Sequence, residues 1–487
     1  MNVWPIRYPS RRLERHWFVA LLFPIYFTIA CDGIVQTSPD AMPAVSDSFS
    51  PDAEYTVDSA IASSETSLDN GTPTVDQGTL LYTSVAIHSP ITSNIGVNLQ
   101  QIAATKPSNG KAVFAKFGDS ITIANSYLHC FAGNNVQWAT HSNLEGAWQF
   151  FKQETISGTT SFDRQSLASL GGKTAKWAVT GNPSPAETEL AAIAPGYAVV
   201  MFGTNDIGYF PDDRGHTFDW YAGYLFDLVD QIINFGTVPI MMTIPPLDRN
   251  DDRPHLVPAV NALVRAYAQH RKLPLINYYE AMLPLPAMGL SSDGVHPNTH
   301  YSQGSKPCYF NAEGLEHGYN MRNLVTMEGL SRAKSAIEGE VLDTPAPAEY
   351  LQGAGTNTNP YQIPSLPFSH VSSTLENNQR FLSLYSGCNA SQDESGPEVV
   401  YQFTATTSVK IRAIVVDRND VDVDLHLLNG TLAESSCVKR GHTMITAQLT
   451  PGTYYFVLDS FTSDGVEYAG DFAFAVIDCK NDSSCTP

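Results

Sequence analysis

A serine hydroxyl becomes a nucleophile when a base can take its proton, an acid orients that base, and donors await the developing oxyanion. Three short stretches of this chain offer those parts. "FAKFGDSIT", Phe114 to Thr122, runs a mostly apolar segment into Gly118-Asp119-Ser120. "MFGTNDIG", Met201 to Gly208, ends a second apolar segment at Phe202, turns at Gly203 and presents Asn205, whose side-chain amide can donate to an oxyanion. "SSDGVHPN", Ser291 to Asn298, carries Asp293 and His296 three apart in a loop with Gly and Pro. That spacing lets one loop bring a carboxylate to Nδ1 of the imidazole and leave the other nitrogen outward as a base. Each stretch also has a plainer reading. Gly-Asp-Ser and Asp-Gly-x-His-Pro are ordinary turn compositions, and Asn205 with Asp206 can simply cap the next element. A fourth stretch, "SLGGKTA" (169–175), pairs two glycines where a backbone N–H can approach a substrate. It is not a phosphate loop, because Leu167 stands where such a loop needs glycine.

The elements that must position these residues are legible as patterns. "AVFAKF" (112–117), "YAVVMF" (197–202), "VPIMMTI" (238–244) and "LPLIN" (273–277) are candidate strands. Residues 220–235, 256–270 and 319–337 space their apolar residues as helices do. Continuous apolar strands alternating with helices predict a parallel sheet covered on both faces, with ligands at the carboxyl ends of its strands. Gly118 and Gly203 each come directly after a strand at that edge.

The chain has 487 residues, more than one ordinary domain. Arg7, Arg11, Arg12 and Arg15 precede the apolar "WFVALLFPIYFTI", too short to span a bilayer and interrupted by Pro24. "TIAC" comes next, so residues 1–31 read as an export signal, and Cys31 resembles the lipidated cysteine of a bacterial lipobox, although Thr28 stands where Leu is usual. Ordinary cleavage nearby is the alternative. Residues 32–79 are rich in Ser, Thr, Pro, Asp and Ala and read as a solvated tether. A hydrolytic domain over 80–340, a Pro-, Gly- and Asn-rich linker over 341–375 and a β-rich domain over 376–487 complete the expected order. In the last, short β-type runs with turns between them predict a sandwich. Within "DVDVDL", Asp420, Asp422 and Asp424 alternate with apolar residues, so the acidic face is expected in solvent. An EF-hand is excluded because Leu425 occupies its obligatory glycine position. Cys31 aside, the cysteines are Cys130, Cys308, Cys388, Cys437, Cys479 and Cys485, an even set that suits disulfides in an exported chain.

Taken together, the four chemical stretches resemble the SGNH hydrolases, or GDSL esterases, over roughly 110 to 337. The resemblance implies a three-layer α/β/α sandwich, which agrees with the pattern reading. It implies that Ser120 attacks an ester carbonyl, that His296 moves the proton, and that Asp293 orients His296. It assigns the oxyanion hole to the backbone N–H groups of Ser120 and Gly172 and the side chain of Asn205. Ile121 replaces the usual Leu after the serine, and the Asn usual upstream of the paired glycines is missing, so Gly171 and Gly172 are hard to separate. The C-terminal region resembles the bacterial pre-peptidase C-terminal domain through "EVVYQFTA", "DVDVDLHLL" and "LTPGTYYFVLDSF". That implies a non-catalytic β-sandwich whose ligand is open, with Cys388 and Cys437 joining its strands and Cys479 and Cys485 closing the tail. A pairing of Cys130 with Cys308 would pin the aromatic loop after His296 beside the nucleophile.

The net charge of −21, from 28 basic and 49 acidic residues, excludes a nucleic-acid partner and disfavours anionic lipid surfaces. Membrane contact is expected only through a lipid anchor, and neither cofactor nor metal is expected. The expectation is an exported serine esterase acting on small-molecule or carbohydrate esters, with lipid esters as an alternative. A catalytically inert surface binding protein on the same scaffold is the competing reading.

Overall fold

The computed structural model describes residues 78–480 together with Asp482 and Cys485. The expected export signal with Cys31, and the tether as far as Gln77, lie outside the described residues.

Four parallel strands form the first sheet in chain order: β1 (Gly110–Gly118), β2 (Pro195–Met201), β3 (Val238–Met242) and β4 (Leu275–Ile276). Their apolar runs are continuous because helices cover both faces. Even Lys116, inside β1, is buried and donates from Nζ to Phe162 O at 2.8 Å. The helices that matter for the site are α1 (Ser93–Thr105), α2 (Ser120–Ile123), α3 (Ala175–Val179), α4 (Arg214–Asn234), α5 (Arg253–His270) and α6 (Gly318–Ile337). Helix α1 packs on α6, and α4 packs on α5. Pro254 sits in the first turn of α5, where its missing N–H is no loss.

The C-terminal strands are β5 (Tyr361–Ile363), β6 (Phe368–Ser373), β7 (Glu398–Ala405), β8 (Val409–Asp417), β9 (Val423–Asn429), β10 (Cys437–Gly441), β11 (Met444–Leu449), β12 (Gly452–Ser460) and β13 (Asp471–Asp478). They form two sheets, β11-β8-β13-β6 and β10-β9-β12-β7-β5, antiparallel except for β5 against β7. The stretch expected as a linker therefore supplies two strands of the sandwich. Their Tyr, Phe and Ile side chains have a partner surface that a local reading of Pro and Gly cannot reveal.

The sandwich is docked rather than tethered. Ile411, Ala413 and Val415 of β8 point into the sandwich core, whereas Ile414 and Val416 join the core of the α/β domain. In β13, Phe472, Phe474 and Val476 face the sandwich, and Ala473, Ala475 and Ile477 face the other way. Side chains alternate along a strand, so one sheet serves two cores. Small Ala473 and Ala475 let α5 come close to β13. Arg412 of β8 and Asp482 form an ion pair at 3.0 Å in this buried region, both at most 3% exposed.

The expected solvent-facing row of aspartates is corrected at Asp424. It is wholly buried, held by Arg440 from β10 and by His442, charges that only strand pairing brings near. The six cysteines form Cys130–Cys308, Cys388–Cys437 and Cys479–Cys485, which fits an exported protein. Among the described residues no helix is long and apolar enough to cross a membrane.

The shared core predicts that the α/β domain depends on the sandwich. A chain ended after Thr344 uncovers α4 and α5 and should aggregate, or melt about 5 °C or more below the full-length protein. Equal melting temperatures and solubility in calorimetry would show that the docking contributes nothing to stability.

Candidate active site

Gly118 of β1 lies opposite Met201 of β2 in a parallel register, so the turns after the two strands emerge side by side. Asp119 caps α2, its Oδ1 accepting the Ile121 N–H at 3.0 Å. Ser120 is the first residue of α2, so its own N–H has no partner within the helix. The opposite turn carries Asn205, whose Nδ2 donates to Lys173 O at 3.0 Å and to Asp119 Oδ2 at 3.2 Å. Gly203 makes that turn with φ of 136°, and a side chain there would crowd Ile244 and the Tyr221 hydroxyl.

The third part arrives from far along the chain. Asp293 Oδ1 accepts the N–H groups of Val295 and His296, both at 3.0 Å, and the loop closes through Ser291 N–H to His296 O at 2.8 Å. Gly294 has φ of 67°, and an added Cβ would strike Asp248 O, so only glycine fits where this loop is clamped to the segment after β3. The clamp aims the imidazole. His296 Nδ1 lies 2.6 Å from Asp293 Oδ2, and His296 Nε2 lies 2.8 Å from Ser120 Oγ. Burial pushes the Asp293 carboxyl up, but the hydrogen bonds from His296 and from the two amides outweigh it and hold the group below the usual range. His296 and Asp293 side chains are 41% and 49% exposed, so the pair opens to solvent.

The paired glycines also reach the site. Leu170 N–H donates to Gly118 O at 3.2 Å, and Ser169 Oγ donates to Lys116 O at 2.7 Å. A Cβ built on Gly171 would sit 3.8 Å from Ser120 Cβ, and Gly172 comes next in the left-handed region with φ of 75°. Ser120, Asp293, His296, Asn205 and the Gly171-Gly172 turn are thus brought to one sheet edge. Cys130–Cys308 ties the loop after His296 to the segment after α2, and Thr299 Oγ1 donates to Ser126 Oγ at 3.0 Å alongside it.

Three buried ionisable residues support these groups: Asp119 and Asp206, which lie inside the motifs themselves, and Arg322, which belongs to none. Burial raises the Asp119 carboxyl to about 6 against the opposing pull of the Ile121 amide, Arg322 and His296. Asp206, next to Asn205, is fully buried and accepts the Ala175 N–H at 2.9 Å, fastening α3 and the glycine turn to the Asn205 turn. Burial raises its carboxyl to about 7. Arg322 of α6, also fully buried, donates to Ile121 O at 2.7 Å and to Thr122 Oγ1 at 3.0 Å and stacks over Tyr127. A cation is thereby held at the carboxyl end of α2. The one local signal for Arg322 is a charged residue on an otherwise apolar helix stripe; its target, about 200 positions earlier, leaves no local trace.

Residues 117–301 match the family model described as GDSL-like Lipase/Acylhydrolase family. This segment is a GDSL-like lipase/acylhydrolase domain. It makes the protein a hydrolase of ester bonds. No curated protein matches the chain. Among solved structures, a GDSL-like lipase from Bacteroides thetaiotaomicron is 16% identical, covering 49% of this chain and 99% of its own, with a TM-score of 0.29. A catalytic mutant of an acetylxylan esterase from Geobacillus stearothermophilus is also 16% identical, covering 45% of this chain and 93% of its own, with a TM-score of 0.29. The pre-peptidase C-terminal domain of a collagenase from Bacillus anthracis is 16% identical over 24% of this chain and 91% of its own, with a TM-score of 0.16.

Asp206 gives the GDSL-like domain a pH signature. A carboxyl raised to about 7 stays protonated in the folded state while the unfolded chain has ionised it. Its contribution is therefore lost as pH rises from about 4 through 7. Asp206→Asn keeps an acceptor for Ala175 and cannot titrate. Its melting temperature should fall less between pH 5 and pH 8 than that of the wild type, whereas parallel curves would assign the pH dependence elsewhere.

Proposed function

We propose that this protein is an exported serine esterase working through an acyl-enzyme on Ser120. The observation that carries the reading is the unbroken relay from Asp293 through His296 to Ser120 Oγ, at 2.6 and 2.8 Å. Ser120 Oγ attacks the ester carbonyl as its proton passes to His296 Nε2. Asp293 keeps Nδ1 protonated and balances the imidazolium. His296 then protonates the leaving alcohol, and water, activated by the same nitrogen, releases the acid. The N–H groups of Ser120 and Gly172 and the amide of Asn205 hold the oxyanion. Asn205 Nδ2 is engaged by Lys173 O and, more loosely, by Asp119. The oxyanion takes over the 3.2 Å bond to Asp119 and leaves the other to fix the side chain.

The substrate class proposed is a short acyl ester, such as an acetyl group on a carbohydrate or small molecule. The exposure of His296 and Asp293 supports it, because a long acyl chain needs a deep apolar channel, whereas the buried side chains Arg322, Asp119 and Asp206 near Ser120 are polar. Tyr301, 77% exposed in the loop after His296, and Leu170, 43% exposed beside the glycine turn, are exposed apolar side chains on the elements that carry the site. Lipidation of Cys31 anchors the enzyme, with the Ser- and Thr-rich segment as its tether.

Ser120→Ala should lower kcat on p-nitrophenyl acetate by about 10⁶, and Asn205→Ala by about 10²–10³. Full activity in Ser120→Ala would remove Ser120 as the nucleophile, and no labelling of the wild type by a fluorophosphonate would leave an inert scaffold. In a series from acetate to decanoate esters, kcat/KM should be highest for the shortest acyl groups. A rise with chain length would favour lipid esters.

A further inference from the structure

The sandwich and the hydrolytic domain line an open pocket of about 510 Å³ between α5 and the end of β13. None of Ser120, Asn205, Asp293 and His296 lines it. Pro258, Leu283, Leu366 and Ile477 give it apolar walls. Arg265 of α5 lines it too, and is only 4% exposed.

Arg265 differs from the other buried cations. Arg322 donates to Ile121 O, Lys116 to Phe162 O, and Arg412 pairs with Asp482. Arg265 has no hydrogen-bond or ion-pair partner among the described residues, and its buried Nη2 meets no acceptor. Burial lowers the guanidinium to about 10, with no carboxylate opposing the shift, so it remains charged. The neighbouring polar groups are already engaged. Asn261 holds both backbone groups of Ile244, and Asn277 serves Ser84 O, Thr243 and Glu280. A buried guanidinium without an anion is strongly disfavoured.

We propose that this interdomain cavity binds a small organic monocarboxylate, its carboxylate on the Arg265 fork and its apolar body along Pro258, Leu283, Leu366 and Ile477. The planar fork matches a carboxylate in two parallel hydrogen bonds. Glu280, Asp478 and Asp482 also line the cavity and disfavour a doubly charged phosphate, while His255 and Lys480 offset them in part. A ligand here touches both domains and so stabilises their docking. The site is independent of the proposed ester chemistry.

The full-length protein tests this with hexanoate, using hexanol and inorganic phosphate as controls. Hexanoate at about ten times its Kd should raise the melting temperature by roughly 2 °C, and calorimetric titration should show one site. Hexanol and phosphate should bind at least tenfold more weakly, and Arg265→Met should abolish the effect. Hexanoate held at the ester site instead would still bind Arg265→Met, and that result overturns the proposal. So does equal binding of hexanol or phosphate, or no binding of hexanoate at 10 mM, which would mean water alone solvates Arg265. If Arg265→Met does not fold, Leu283→Trp, a change on a partly exposed wall, should block hexanoate by filling the cavity, and undiminished binding to it counts equally against the site.

Discussion

Parallel pairing of β1 with β2, Gly118 opposite Met201, determines where two strands end, and the candidate active site is assembled from the turns that leave those two ends. Antiparallel pairing would send the two turns to opposite edges of the sheet. In the parallel register, Asp119 and Asn205 meet at 3.2 Å although 86 positions separate them. The His296 loop then needs only to be clamped above this edge, and Gly294 against Asp248 provides the clamp. The relay thus stands on rigid strand ends, while the loop contributes a hydrogen-bonded turn whose shape is fixed by Asp293 itself.

Charge burial is the second organising feature. Asp119, Asp206 and Arg322 lie beneath a surface where His296 and Asp293 are open to water. Each buried group adds hydrogen bonds to backbone at the site. Asp119 holds α2, Asp206 holds α3, and Arg322 holds the far end of α2 against α6. Desolvation is costly, and the hydrogen bonds to backbone groups offset it in part. The raised carboxyls of Asp119 and Asp206 record the remainder.

The sandwich belongs to the same energetic unit. Its β11-β8-β13-β6 sheet is buried on both faces, one against its partner sheet and one against α4 and α5. This explains why "AIVV" in β8 and "FAFAVI" in β13 lack the polar alternation of a half-exposed strand. The docking leaves Arg265 enclosed, a charge that neither domain satisfies from its own described residues.

Much is legible in the chain itself. Apolar runs and helical spacing locate the strands and helices of the first sheet, because burial on both faces leaves a pattern within a dozen residues. Gly-Asp-Ser, Gly-Thr-Asn-Asp and Asp-Gly-Val-His name the candidate reacting residues, since chemistry restricts residue type at short spacing. The six cysteines other than Cys31 anticipate disulfides. Relations between distant segments leave no such trace. Linker-like composition hides the strands in 361–373, and alternation alone puts Asp424 in solvent, because nothing nearby announces Arg440 on the next strand. Arg322 and Asp206 are ordinary letters whose roles depend on neighbours supplied by the fold. Sequence determined which groups can react and which segments must be buried, because both depend on local chemistry. Tertiary structure alone decided which charges meet and which, like Arg265, are enclosed without a partner, because desolvation and pairing depend on what the whole chain packs around each group.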